Sequence, residues 1–166
     1  MLLNLHKCNH FDFSCDRPRQ REPEEIQHLG VFLKMKVPFF SSCKQELITT
    51  LIDKLICQKF KQGDSLMDQG DVGDCMYIIY EGQCGVYVFN SKTDLSPESS
   101  HNAVAILGAN TVVGESAVTD VFEEGTRSAT IVAHTEVVTL KLTKQNYQKI
   151  LKQHQDDERM ARLRYL

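Results

Sequence analysis

The sequence predicts an α+β domain: an eight-stranded antiparallel β-roll, jelly-roll-like in its closure, flanked by N-terminal and C-terminal helices. Two observations carry that prediction. Apolar residues recur at helical spacing up to Ile56, break into short runs between Lys59 and Leu142, and return to helical spacing after Thr143. The short runs are punctuated by turn-forming residues, including Gly63-Asp64 and Gly70-Asp71-Val72-Gly73-Asp74, at the spacing of an antiparallel roll or barrel.

The elements follow in order. Residues 1–22 lack a sustained period, and Arg17–Glu22 reads as a solvated charge run, so this stretch is expected to be a flexible tail. Pro23 suits a first helical turn, where its missing N–H costs nothing, and Glu24 and Glu25 favour the positive helix end. Ile26, Leu29, Phe32 and Leu33 continue that helix until Pro38 stops it. A second helix is expected to start at Ser41 or Ser42, whose hydroxyls can cap it, with an apolar stripe Leu47, Ile48, Leu51, Ile52, Leu55 and Ile56. Met76–Tyr80 reads as a buried strand, Glu81-Gly82 as a tight hairpin turn, and Val86–Phe89 as the return strand. Residues 90–102 are polar and serine-rich, as in an exposed loop. Ala103–Leu107, Thr111–Val113, Ser128–Ala133 and Val137–Leu142 supply further strands. Val138, Leu140 and Leu142 alternate with Thr139 and Lys141, which predicts one buried face. Tyr147, Ile150 and Leu151 open the last helix, and Gln155–Leu166 alternates in charge sign along a solvated face.

Composition narrows the function classes. At 166 residues, 42% hydrophobic and 25% charged, the chain can bury one ordinary core without staples. A net charge of −3 provides no global attraction for nucleic acid, and no apolar stretch is long enough to span a bilayer. With no signal-peptide core after Met1-Leu2-Leu3, an intracellular, cytoplasmic location is expected. The six cysteines form no Cys-x-x-Cys pair, and Cys8, His10 and Cys15 match no standard zinc spacing. Cys57, Cys75 and Cys84 lie in apolar runs, where a thiol packs as a small hydrophobe. The six histidines form no His-x-His or His-x-Asp pair of the kind a metal oxygenase uses, and no Gly-x-Ser-x-Gly elbow is present, so an enzyme is not expected.

The chemistry concentrates in Gly114-Glu115-Ser116-Ala117-Val118 and in Arg127-Ser128-Ala129-Thr130. A glycine lets backbone approach an anion closely, and small residues after it permit a short helical turn whose N–H groups converge. An arginine can fork onto two phosphate oxygens. A carboxylate beside a phosphate would repel it, so Glu115 must face another group, and a ribose hydroxyl is the natural donor. The pieces describe a ligand with one phosphate and one free sugar hydroxyl. The plainer reading pairs Arg127 with Glu123 or Glu124 at the surface, worth about 0–1 kcal/mol.

This segment resembles the phosphate-binding cassette of the cyclic nucleotide-binding domain family: Gly-Glu-x-Ala, a variable loop, then Arg, a small residue and Ala. The resemblance extends over roughly residues 35–165 through Phe39-Phe40, Lys61-Gln62-Gly63-Asp64, Gln69-Gly70-Asp71, Met76-Tyr77-Ile78-Ile79 and Glu81-Gly82. It implies a cyclic nucleotide-binding domain over residues 23–166, resembling an orphan member rather than a kinase subunit or channel. The implied ligand is cAMP or cGMP, with no further cofactor. Glu115 would accept the ribose 2′-hydroxyl, Arg127 would grip the cyclic phosphate, Gly114 would shape the turn, and backbone donors near Ala117 and Ala129 would complete the site. Ser128 stands where cGMP-preferring members offer a hydroxyl. Ser116 departs from the usual aliphatic residue, the loop bearing Asp120, Glu123 and Glu124 is longer than in kinase-regulatory members, and the last helix reads as truncated. The implied role is a sensor, in which ligand shifts the Gly114–Val118 turn and passes that shift to the helix after Thr143 and on to an effector protein. The alternative is a ligand-free interaction module on the same fold.

Overall fold

The computed structural model describes residues 21–89, 103–119 and 125–163, with the side chains of the last helix described to residue 153. The proposed tail to residue 20, the polar loop 90–102, the acids Asp120, Glu123 and Glu124, and Cys8, His10 and Cys15 lie outside the described residues.

Helix α1 (Pro23–Lys36) begins with Pro23 at its first position, and the Glu22 backbone N–H donates to Glu25 Oε2 at 3.0 Å. It buries Leu29, Gly30 and Leu33 and gives way at Val37 to a 3-10 turn, Pro38–Phe40. Helix α2 (Gln45–Ile52) is shorter than expected at both ends. Ser41 does not cap it: its hydroxyl donates to Pro38 O at 2.7 Å inside the preceding turn, and Lys44 is the N-cap. Leu47, Ile48, Leu51 and Ile52 are buried as one stripe, but Leu55 lies beyond the helix and Ile56 already opens a strand. The sequence spacing continued across this break because core-facing positions persist while the backbone changes.

Arg21 corrects the reading of Arg17–Glu22 as solvated. Its side chain is buried, with Nε donating to Ile52 O at 3.1 Å and Nη2 to Leu55 O at 2.8 Å. The guanidinium thus pairs Leu55 O just past the end of α2 and adds a second donor to Ile52 O, which already accepts from Leu55 N–H at 3.2 Å. Arg21→Ala is expected to lower stability by about 2–3 kcal/mol, since two charge-assisted bonds are lost and the Leu55 carbonyl loses this donor. Urea unfolding of the two forms checks it.

Among the described residues eight strands follow: β1 (Ile56–Phe60), β2 (Ser65–Met67), β3 (Cys75–Glu81), β4 (Cys84–Tyr87), β5 (Ala105–Leu107), β6 (Val112–Val113), β7 (Thr130–Ala133) and β8 (Val137–Thr143). They form two four-stranded antiparallel sheets, ordered β1-β8-β3-β6 and β2-β7-β4-β5, rather than one closed barrel. β3 and β4 are therefore not a hairpin. Gly82, at φ +96°, carries the chain from one sheet to the other, and a Cβ there would stand 2.4 Å from Glu136 O.

Two cores result. Cys75, Tyr77, Ile79, Cys84, Val113, Ile131 and Ala133 meet between the sheets. On the opposite face of the first sheet, Met76, Ile78, Leu140 and Leu142 pack under α1, α2 and the last helix, α4 (Lys144–Leu163), which contributes Ile150 with Tyr147 and Leu151 beside it. The first sheet is thus covered on both sides. This corrects the single buried face expected of β8, because Thr139 is fully buried and donates to Gln58 O at 3.1 Å. Among the described residues no helix is long and apolar enough to cross a membrane.

Burial also sets a pH dependence. The Cys84 thiol is pushed up from 9.0 to about 11 by burial between the sheets. The native state therefore holds this proton to higher pH than the unfolded chain. Its stabilising contribution is complete below pH 9.0 and is lost as pH rises towards about 11. Urea melts across that window are expected to show falling stability, with a shallower fall in Cys84→Ala.

Candidate functional site

The two segments singled out in the sequence converge on one cleft of about 430 Å³ at the open end of the roll. Gly114, Glu115, Ser116, Ala117, Arg127, Ser128 and Ala129 all line it. Each is placed by a local reason. Gly114 follows β6 at φ +74°, a left-handed conformation that turns the chain into the short helix α3 (Ser116–Thr119). In that turn Val118 N–H donates to Glu115 O at 3.0 Å and Ala117 N–H to Gly114 O at 3.3 Å. Ala117 and Val118 are buried, so α3 is pinned by its inner side while Glu115 and Ser116 face solvent.

Arg127 comes from the segment before β7, which is held against the β2–β3 loop. Arg127 N–H donates to Asp71 O at 2.7 Å, Gly70 N–H to Arg127 O at 2.8 Å, and Gly73 N–H to Gly125 O at 2.9 Å. The side chain is 7% exposed and runs beneath the Gly114 turn. Nη2 donates to Cys75 O at 2.6 Å and Nη1 to Gly114 O at 3.4 Å, while the solvent-facing Asp74 carboxylate stands 3.9 Å from Nη2. Two glycines are required by this packing. A Cβ on Gly114 would lie 2.4 Å from Arg127 Nη1, and one on Gly73 would lie 2.3 Å from Ala117 Cβ.

Among the described residues the acid beside Arg127 is Asp74, from the β2–β3 loop, which the sequence reading did not propose. The stretch Gly70–Asp74 was legible only as a turn, because its pairing with residues 125–127 is long-range. Also unproposed were the apolar walls, Met67, Ile131, Val86 and Leu107 from the second sheet and Val112 from the first. Period-two alternation in β4 and β7 marks Val86 and Ile131 as inward-facing. Nothing local distinguishes a wall of a cleft from ordinary core.

Beneath Arg127 the Cys75 thiol is pushed up, first by burial and then by a hydrogen bond to Asp74, so it is a neutral thiol at physiological pH. The Tyr77 hydroxyl is likewise pushed well up, by burial first and then by the neighbouring Cys75. Among the described residues the charged side chains lining the cleft are Arg127 and Glu115. A cation at the floor, an exposed carboxylate at the rim and apolar walls can hold an anionic group, a hydroxyl and a flat apolar group together.

Residues 57–154 match the family model described as the cyclic nucleotide-binding domain. The chain belongs to the cyclic nucleotide-binding domain family. That family is one of regulatory, non-catalytic domains. The matched span covers all eight strands apart from the first residue of β1, together with the cleft. Among similar proteins, the potassium channel GORK of Arabidopsis thaliana is 32% identical over 125 residues, 75% of this chain and 14% of the channel. The cyclic nucleotide-gated channel beta-3 of Canis lupus familiaris is 25% identical over 149 residues, 90% of this chain and 18% of the channel. The chain thus spans less than a fifth of the length of either channel. Of solved structures, cAMP-bound PfPKA-R (141–441) superposes with a TM-score of 0.65 at 18% identity, over 81% of this chain and 44% of that one. A cyclic nucleotide-binding-like protein from Brucella abortus bv. 1 str. 9-941 gives 0.59 at 22% identity, over 78% and 98%. At these identities the superpositions speak for the fold.

Proposed function

We propose that this chain is a regulatory module that binds cAMP or cGMP in the cleft between α3 and the Arg127 segment. The observation that carries this reading is Arg127. A guanidinium, buried and held from behind by Cys75 O and Gly114 O, borders a cleft whose rim carries Glu115. Burying a cation is costly when its ionic partner among the described residues is the exposed Asp74, 3.9 Å away, and a phosphate seated on it would offset that cost. In this reading Arg127 grips the cyclic phosphate and Glu115 accepts the ribose 2′-hydroxyl. Backbone donors near Ala117 and Ala129 add to the phosphate site, Gly114 and Ser116 shape the turn, and the purine lies on the apolar walls. Ser128 is exposed and lines the cleft, and in this reading its hydroxyl meets a purine substituent. The solvent-facing Asp74 competes weakly, because an exposed carboxylate pair is worth about 0–1 kcal/mol.

The signalling route follows from packing. α3 rests on α4, and Val118 belongs to the same core as Ile150 of α4. Ligand that draws the Gly114–Val118 turn towards Arg127 would move α3 against α4 and so reach an effector protein. Such a module senses a ligand and catalyses nothing. Thermal unfolding in the presence of cAMP or cGMP tests the reading. A nucleotide at 100 times its dissociation constant is expected to add about 2.7 kcal/mol. The 2′-deoxy analogue is expected to stabilise wild type less, and Glu115→Gln to remove that difference. Equal stabilisation of wild type by the ribo and deoxy forms would overturn the role given to Glu115.

A further inference from the structure

We infer that the Cys75 side chain is a positioning residue for the phosphate-gripping arginine, a role that rests on the nucleotide-binding reading above. By composition Cys75 is one more small apolar filler in a buried strand. Its surroundings say more. Arg127 Nη2 donates to Cys75 O at 2.6 Å and also reaches Cys75 Sγ at 3.5 Å, so one nitrogen is held by the carbonyl and the sulfur of the same residue. Asp74 and Tyr77 are its other polar neighbours. Lys141 of β8, opposite Tyr77 in the sheet, completes the charged surroundings.

A neutral thiol has one proton to donate and lone pairs to accept with. Accepting from Arg127 Nη2 uses a lone pair that an alkyl side chain lacks. Burial keeps the thiol protonated, so it offers Arg127 a dipole rather than a charge. The consequence is specific. A thiolate here would pair with the guanidinium and oppose a phosphate, and a methyl group would leave Nη2 with the carbonyl alone. The thiol orients the guanidinium plane without neutralising it. Nη1, turned towards Gly114 O, is thereby left at the cleft.

The test is equilibrium binding of cAMP and cGMP to the full chain and to Cys75→Ala and Cys75→Ser, with urea unfolding of each. Cys75→Ala is expected to raise the dissociation constant about three- to tenfold, the worth of one net hydrogen bond. Cys75→Ser keeps a donor and acceptor at the position and is expected to bind within about twofold of wild type, whatever its stability. Should the alanine form not fold, Cys75→Val, which fills the volume without an acceptor, carries the same expectation. Alanine binding like wild type, or serine and alanine weakened equally, would overturn the role, since simple packing predicts either. Failure of folded wild type to bind either nucleotide would instead remove the nucleotide reading, and this inference with it.

Discussion

Arg127→Ala is expected to raise the dissociation constant for cyclic nucleotide at least about a hundredfold and to lower stability by about 1–3 kcal/mol. Two charge-assisted bonds from a guanidinium fork to phosphate account for the affinity loss, at about 1.5–3 kcal/mol each. The stability loss has a separate origin. Cys75 O accepts from Nη2 at 2.6 Å in a buried setting, and alanine leaves that carbonyl unpaired. A space opens beneath the Gly114 turn as well, because Gly114 and Gly73 stay bare where the guanidinium runs. Removing a buried cation gives back part of its desolvation cost, which keeps the net change modest. Arg127→Lys separates the two effects: it keeps charge but cannot fork, so weaker binding with better-preserved stability is expected. Titration and urea unfolding of the same preparations check both numbers.

Gly114→Ala is the second large effect expected, with stability lowered by about 2 kcal/mol or more and binding weakened at least about tenfold. A residue with a side chain pays about 1–2 kcal/mol to sit in the left-handed region, and Gly114 has φ +74°. The new methyl would also stand 2.4 Å from Arg127 Nη1 and 3.1 Å from Met67 Cε. Met67 can bend away, but Arg127 is held from behind by Cys75 and cannot retreat inward. The guanidinium must therefore move towards the cleft or the turn must lift, and either change spoils a phosphate site. Gly63→Ala is the control: its φ is +91°, yet nothing lies within 4 Å of a Cβ there. That variant is expected to show the backbone cost without the binding defect.

Much of this was legible in the residues themselves. The strands, the flanking helices and the cassette could be read because each rests on a local signal: a change of period, a turn glycine, a proline at a helix start. What escaped depends on contacts distant in sequence. The Glu81-Gly82 turn looks like a hairpin, yet β4 pairs with β7 and β5, and only the assembled sheets reveal that the chain changes layer there. Thr139 reads as a solvent-facing member of an alternating strand, but the helices on one side and the second sheet on the other bury both faces of β8. Arg21 sits in a charge run and is nonetheless buried, since its guanidinium donates to carbonyls 31 and 34 residues away. At the site, Glu115 and Arg127 announce themselves by type and spacing. Asp74 and Cys75 acquire meaning only when the β2–β3 loop folds onto the Arg127 segment.

The most direct test of the central claim is calorimetric titration of the folded wild-type chain and Arg127→Ala with cAMP and with cGMP. The account predicts saturable one-to-one binding of at least one nucleotide to wild type, weakened at least about a hundredfold by the substitution. Equal binding by both proteins, or no heat from wild type at millimolar nucleotide, would contradict it and favour a fold kept for holding a protein partner.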